Sequence, residues 1–167
     1  MIIRKAVTED WPRIWPFFDQ IVAQGRTYAY PLGLTRQTGR SWWMEPSPSH
    51  VVVAVDPGPD GDERVLGSAK MGPNRPGRGA HVATASFMVD PGAQGQGVGR
   101  ALGEYLLTWA RAGGYHGIQF NAVVETNTGA VALWRALGFE IIGTVPEAFD
   151  HPELGLVGLH VMYHRLS

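Results

Sequence analysis

The stretch from Val89 to Leu102, VDPGAQGQGVGRAL, places four glycines between a run typical of a strand, SFMV, and a run typical of an amphipathic helix, RALGEYLLTWA. Glycines before a helix leave the backbone N–H groups of its first turn accessible, and these groups bind anions together with the helix dipole. The sequence therefore predicts an anion site, most simply for a phosphate, at a turn from a strand to a helix.

Two common nucleotide-binding motifs do not match this turn. The string G-x-x-x-x-G-K-[ST] of a P-loop is absent. A dinucleotide site needs G-x-G-x-x-G, but the sixth residue counted from Gly95 is Arg100, and counted from Gly97 it is Leu102. That motif also follows the first strand of a β-α-β unit, whereas this turn follows the fourth predicted strand.

Hydrophobic periodicity predicts the element order β-α-α-β-β-β-α-β-α-β-β, with seven strands and four helices. The first helix is predicted over about residues 9–24, and the others in TRQTGRSWWME, RALGEYLLTWARAGG and NTGAVALWRAL. The predicted strands are IIRKAV (an edge strand), HVVVAV, RVLGSAKMG, HVATASFMV, HGIQFNAVV, GFEIIGTV and LVGLHVMYHRL. The segment VPEAFDHPELG is predicted to be a loop over the substrate.

This order indicates an α/β protein, with α+β character, built on one twisted mixed sheet with helices on both faces. The first half is predicted to be antiparallel, and the strand–helix–strand–helix–strand run of the second half parallel and right-handed. The length fits a single domain over residues 1–167.

Composition excludes several classes of function. The net charge is −1 without a block of Lys or Arg, so we expect no nucleic-acid partner. No apolar run approaches the roughly 20 residues of a membrane span, and MIIRKAVTEDW lacks a signal-peptide pattern, so we expect a cytoplasmic protein. The absence of cysteine excludes disulfides and a cysteine nucleophile, and the six histidines indicate no metal site.

Two sequence blocks resemble the GCN5-related N-acetyltransferases. The segment Gln94–Gly99 matches the motif Q/R-x-x-G-x-G/A, and NTGAVALWRALGF matches N-x-x-A-x-x-L-(Y)-x-x-x-G-F. The resemblance extends along almost the whole chain. It implies direct transfer of acetyl from acetyl-CoA to a primary amine, with a small or amino-acid-like acceptor, and pairing of two copies through LHVMYHRL.

The resemblance also implies where coenzyme A binds. The pyrophosphate would lie on the glycine turn, and the pantetheine arm would pair with the preceding strand, which would splay from the next. The oxyanion donor would be a backbone N–H of this strand, assigned to Met88. The predicted coenzyme-binding residues are Phe87, Met88, Val89, Gln94, Gly95, Gln96, Gly97, Val98, Gly99, Arg100 and Asn127. Asn127 has the alternative role of a helix N-cap.

The chain departs from the family pattern at two positions. Trp134 stands where many members have a tyrosine general acid, and an indole N–H cannot supply a proton. Thr84 stands where the phosphinothricin-type enzymes, which the chain resembles at Arg26–Pro31, have a glutamate. Because Trp134 supplies no proton, the thiolate leaves unaided or takes its proton from another group.

Glu125 is the first candidate for the general base. In IQFNAVVE it is predicted to share one face with Gln119 and Asn121, and a polar stripe on an internal strand suggests a cleft. The alternative is a solvated carboxylate at the end of the strand. His81, at the start of the neighbouring strand, is a second candidate, with a surface histidine as the alternative.

The predicted acceptor-binding residues come from three segments: Tyr28, Tyr30, Asn74 and Asn121. The basic loop that contains Asn74 could also hold a carboxylate or the 3′-phosphate of the coenzyme. Other functions remain open at this point. They are a coenzyme-A sensor without turnover, transfer of a different acyl group, a peptide or protein amine as acceptor, and a nucleotide-dependent oxidoreductase.

Overall fold

The computed structural model describes residues 1–166. Its helices are α1 (Trp11–Gln24), α2 (Arg36–Trp43), α3 (Val98–Ala112) and α4 (Thr128–Ala136). Its strands are β1 (Ile2–Lys5), β2 (His50–Pro57), β3 (Glu63–Pro73), β4 (Val82–Val89), β5 (Gly117–Val124), β6 (Glu140–His151) and β7 (Gly155–Arg165). The predicted order of elements is confirmed, and α3 begins two residues earlier than predicted.

The seven strands form one sheet in the order β1-β2-β3-β4-β5-β7-β6, with β1 at an edge as predicted. The pairs from β1 to β4 are antiparallel, and β4 pairs with β5 in parallel. β7 lies between β5 and β6 and is antiparallel to both, so β5 and β6 run in the same direction without touching. The mixed sheet is confirmed.

Helices cover both faces of the sheet, and β2 shows why its sequence is apolar throughout. Val52 and Ala54 pack into the core beneath α3 and α4, and Val53 and Val55 pack into the core beneath α1 and α2. A strand that is buried on both faces needs apolar side chains at every position. The apolar run HVVVAV is therefore typical of an internal strand.

The predicted loop VPEAFDHPELG is wrong for its first half, because β6 continues to His151. An irregularity in the pairing of β6 with β7 falls between Val145 and Phe149, and Glu147 within it has a left-handed φ of 53°. A bulge of this kind interrupts the alternation of a strand without ending it. Across residues 1–166, no helix has the length and apolar character needed to cross a membrane.

Candidate active site

β4 and β5 separate soon after they meet. They pair in parallel at Val82–Gly117 and Ala83–Ile118, and beyond these residues a cavity of about 550 Å³ opens between them. The cavity is lined by β4 from Thr84 to Val89, by β5 from Phe120 to Val124, by the α1–α2 connection and by α4. The predicted splay between these strands is confirmed.

The glycine turn lies at one end of this cavity. Gly95 and Gly97 have left-handed φ angles of 76° and 78°, which only glycine adopts at little cost. The first hydrogen bond of α3 runs from Ala101 N to Gly97 O at 3.0 Å, so the N–H groups of residues 98–100 have no acceptor within the helix. Gln94 lines the cavity next to this turn. Free N–H groups at the start of a 15-residue helix suit a pyrophosphate.

The backbone of β4 determines which of its amides face the gap. Asp90 N donates to Leu66 O on β3, and successive residues of a strand direct their N–H groups to opposite sides. Met88 N–H therefore points toward β3, and the N–H groups of Phe87 and Val89 point toward the gap. The assignment of the oxyanion donor to Met88 is wrong for this reason, since its amide belongs to the β3–β4 ladder.

Tyr28 and Tyr30 come from the connection between α1 and α2, and both line the cavity. The Tyr28 hydroxyl accepts the N–H of Phe87 at 2.9 Å and donates to the carbonyl of the same residue. Burial raises the pKa of Tyr28 well above its usual value. Burial, and then the charge of Glu45, raises the pKa of Tyr30 to about 12. Both phenols therefore stay neutral at physiological pH.

A chain of amides joins two of the predicted acceptor-binding residues. Asn121, which lines the cavity from β5, donates to Asn74 Oδ1 at 2.7 Å and accepts from Gln119 at 2.9 Å. Asn74 follows β3, and 47 residues separate it from Asn121 in the sequence. The structure therefore brings together residues that the sequence suggested on unrelated grounds.

Glu125 does not share a face with Gln119 and Asn121, so that prediction is wrong. The pairing of β5 with β7 shifts by one residue between Phe120 and Val123, and this bulge reverses the alternation of the residues that follow. The Glu125 carboxylate accepts the N–H of Gly158 at 2.6 Å, and Glu125 N donates to Gly158 O. The side chain joins β5 to β7 and does not line the cavity.

His81 lies at the other end of β4 from the gap. It precedes Phe87 by six residues, which corresponds to about 20 Å at about 3.3 Å per residue. Its ring is exposed and packs edge-on against His116, with 5.7 Å between ring centroids. The structure thus brings neither predicted base to the cavity wall. Along residues 1–166, the titratable side chains that line this cavity are those of Tyr28 and Tyr30.

The second motif forms the wall opposite the acceptor loop. Asn127 caps α4 by accepting Ala130 N at 3.3 Å and also lines the cavity, so its N-cap role is confirmed. Trp134 is 6% exposed and packs against Phe87 at 4.6 Å between ring centroids. The sequence analysis missed Gly103, where a Cβ would lie 3.1 Å from the Trp134 ring. The signal available in the sequence was a glycine inside the predicted amphipathic helix RALGEYLLTWA, where close packing against another helix is a reason to have no side chain.

A splayed parallel strand pair beside a glycine-rich helix start defines an acyl-coenzyme A-dependent transferase. Residues 5–139 match the model of the acetyltransferase (GNAT) family. The chain therefore belongs to this family and is an N-acetyltransferase. Acetyl-CoA, which the resemblance to the family implies, is the acyl donor of the family.

Similar proteins agree with this assignment. A GCN5-related N-acetyltransferase from Kribbella flavida is 59% identical, with a TM-score of 0.93 over 99% of this chain and 97% of that one. An L-methionine sulfoximine/L-methionine sulfone acetyltransferase from Pseudomonas aeruginosa is 31% identical over 150 residues, 87% of this chain and 83% of that protein.

Two further matches are partial in coverage or rest on the fold. Protein SPT10 from Saccharomyces cerevisiae is 36% identical over 96 residues, which are 54% of this chain and 15% of that protein. A phosphinothricin acetyltransferase from Sinorhizobium meliloti, solved in complex with AcCoA, shares the fold with a TM-score of 0.84 and 23% identity. That likeness covers 99% of this chain and 88% of the other.

Proposed function

We propose that the acceptor of this N-acetyltransferase is a small, amino-acid-like primary amine. The observation that carries the proposal is the acceptor side of the cavity, which is lined by two neutral tyrosines and the amide of Asn121. The cavity of about 550 Å³ fits a small molecule beside an acyl group. The Pseudomonas aeruginosa relative, named for two amino-acid derivatives, supports the same class.

The residues around the turn fit coenzyme A. The backbone N–H groups of residues 95–100 would bind the pyrophosphate, and the outward-facing backbone of Val89 would pair with the pantetheine arm. Asn127 and Gln94 line the same wall. When bound, acetyl-CoA supplies an acetyl thioester: a C–N bond forms at the amine, the C–S bond breaks, and the amine proton ends on the thiol.

The chain's own groups orient the acceptor more than they move protons. The Asn121 amide, held by Asn74, can bind a carboxylate or sulfoxide oxygen of the acceptor. Among residues 1–166, no carboxylate or imidazole lines the cavity, so bulk water removes the amine proton. A thiol has a pKa near 8.5, so its thiolate leaves without a strong acid.

The test is thiol release from acetyl-CoA with a panel of amino acids, amino-acid sulfones and sulfoximines, polyamines and peptides. We expect a selective signal with an amino-acid-like amine. The matched variant is Glu125→Gln. We expect it to keep the kcat of the wild type within a few fold, because the Glu125 side chain does not line the cavity. A loss of about 100-fold with coenzyme binding intact would instead restore Glu125 as the base.

Coenzyme binding without turnover of any amine would contradict this proposal and favour a coenzyme-A sensor. A signal confined to peptides would favour a protein amine as acceptor. Release with propionyl-CoA or succinyl-CoA in place of acetyl-CoA would identify a different acyl donor.

We also propose that two copies pair at the β6 edge of the sheet. The resemblance implied pairing through LHVMYHRL, but that stretch lies in β7, which has β5 on one side and β6 on the other, so the free edge belongs to β6. β6 is an edge strand, and its Ile142 and Val145 are 59% and 51% exposed, beside Leu156 of β7 at 60%. Exposed apolar side chains on an edge strand favour association. The molar mass in solution by light scattering tests this, with Ile142→Lys expected to give a monomer; a wild-type monomer would contradict the pairing.

A further inference from the structure

The Tyr28 hydroxyl lies on the open edge of β4. It contacts both backbone groups of Phe87, which face the gap that β5 leaves. Tyr28 reaches this point from the α1–α2 connection, 59 residues away in the sequence. A side chain from the acceptor side therefore lies against the strand edge of the coenzyme side, where the two halves of the cavity meet.

The protonation state of Tyr28 decides what it can do there. Burial holds its pKa above the usual value of about 10, so the group is an O–H and not a phenolate. Transfer of its proton to a thiolate with a pKa near 8.5 is unfavourable. A neutral phenol remains a good hydrogen-bond donor, and such donors stabilise negative charge that develops on an oxygen.

We propose that Tyr28 donates a hydrogen bond to the acyl oxygen of the bound thioester, while the N–H of Phe87 stays donated to the Tyr28 oxygen and strengthens its O–H as a donor. The hydroxyl then exchanges the Phe87 carbonyl for the acyl oxygen as its acceptor. Tyr28 neither gains nor loses a proton in the reaction, and it stabilises the charge on that oxygen while the C–N bond forms. The inference rests on the proposed use of an acyl thioester in this gap.

This assignment accounts for Trp134. The α4 side of the gap presents an aromatic ring at 4.6 Å from the Phe87 ring and no hydroxyl at that position. A polar side chain that contacts the strand edge therefore comes from the opposite wall. Phe87 N–H, which replaces the Met88 amide as the donor that faces the gap, already lies 2.9 Å from the Tyr28 oxygen.

The first readout is the infrared carbonyl stretch of acetyl-CoA labelled with ¹³C at the acetyl carbonyl, bound to the protein without an acceptor. A hydrogen bond to this oxygen lowers the stretching frequency. We expect Tyr28→Phe to raise it, and 3-fluorotyrosine at position 28, a more acidic phenol, to lower it below the wild-type value. Tyr105→Phe removes a phenol hydrogen bond to His50 away from the cavity and should leave the frequency unchanged.

The second readout is kinetic. Loss of one oxyanion donor costs about 10²–10³ in kcat, so we expect Tyr28→Phe to lower kcat about 100-fold. The Kd for coenzyme A, which has no acyl oxygen, and the KM for the amine should stay within about twofold, and the effect should fall on kcat because this hydrogen bond strengthens as charge develops in the transition state. Tyr105→Phe should keep the wild-type kcat.

An unchanged carbonyl frequency in Tyr28→Phe, or an unchanged kcat, would overturn the inference. If that variant does not fold, the 3-fluorotyrosine protein decides, and an unshifted frequency there overturns it as well. A frequency that depends on Tyr28 in a protein that turns over no amine would support the inference while the acceptor proposal fails. A wild-type protein that does not bind acetyl-CoA would overturn both.

Discussion

The proposed coenzyme half and the proposed acceptor half of the cavity are built by different means. The coenzyme half is centred on one continuous segment, residues 89–102, with accessible backbone N–H groups and two left-handed glycines. The acceptor half is formed by side chains from three distant segments, those of Tyr28, Asn74 and Asn121, and Tyr28 also reaches the edge of β4. A backbone site depends on local φ angles, and a side-chain site depends on packing between elements.

The difference explains why one half forms a continuous motif in the sequence, whereas the residues of the other half are scattered along it. A turn that needs left-handed residues requires glycine at given positions, so the motif is short and continuous. A wall of side chains can be made from many residue types on several elements. Experiments on the two halves should therefore separate coenzyme affinity from acceptor affinity.

The largest expected effect concerns the neutral acceptor wall and pH. The attacking amine must be neutral, and its neutral fraction rises tenfold per pH unit below its pKa. Ionisation of the two phenols does not add a further change to the pH profile of kcat/KM in this range, because the pKa of Tyr30 is raised to about 12 and that of Tyr28 is raised too. For an amine with a pKa near 10, kcat/KM should rise about 100-fold from pH 7 to pH 9.

The measurement is the pH profile of kcat/KM with the best amine and with an analogue of lower pKa, whose profile should shift by the difference in pKa. A kcat/KM that reaches a plateau near pH 7 for both amines would show that a group on the enzyme acts as the base. That result would contradict an acceptor half that only orients the amine.

The next effect tests the backbone half. Gly97→Ala places a side chain at φ 78°, at about 1–2 kcal/mol of strain, with its Cβ in the open space of the turn. Loss of one charge-assisted hydrogen bond, about 1.5–3 kcal/mol, should weaken coenzyme A binding about 10- to 100-fold by calorimetry.

Gly114→Ala is the matched control for this variant. Gly114 has φ 74° and is equally open, but it follows the C-terminal end of α3, whereas the glycine turn precedes the N-terminal end. We expect a similar loss of unfolding free energy and an unchanged Kd for coenzyme A. Equal losses of affinity in both variants would mean that the turn acts through stability alone.

A smaller effect tests the side-chain half. Asn121→Ala removes one neutral hydrogen bond to the acceptor, about 0.5–1.5 kcal/mol, and should raise the KM for the amine about 2- to 10-fold. The Kd for coenzyme A should not change. Gln119→Ala removes the neighbouring amide bond without altering the cavity wall and should raise the KM less. A change confined to coenzyme affinity would contradict the division into halves.

The smallest effect concerns the tether of the acceptor loop. Arg26, before Tyr28, forms an ion pair with Glu153 in the β6–β7 turn, and the two side chains are 53% and 60% exposed. Such pairs contribute about 0.2–1 kcal/mol. We expect Arg26→Ala to lower the unfolding free energy by less than 1 kcal/mol, with a double-mutant cycle against Glu153→Ala as the measurement. A coupling above 2 kcal/mol would show that the loop depends on this pair.

The places where sequence reasoning failed share a physical cause. The bulge in β5 depends on how β7 pairs with it, and no local pattern in IQFNAVVE records that pairing. The direction of the Met88 amide depends on the register of β3 against β4. The extension of β6 depends on β7, which supplies its hydrogen bonds. Long-range register decides all three.

The sequence by itself determined the order of elements, the edge position of β1 and the glycine turn, because these follow from periodicity and backbone geometry within short segments. The tertiary structure alone decided that the Tyr28 hydroxyl meets the Phe87 backbone and that Asn74 meets Asn121. It also decided that the side chains of Glu125 and His81 do not line the cavity. Contacts between segments 47 to 59 residues apart depend on how elements pack, and single-chain patterns do not encode that packing locally.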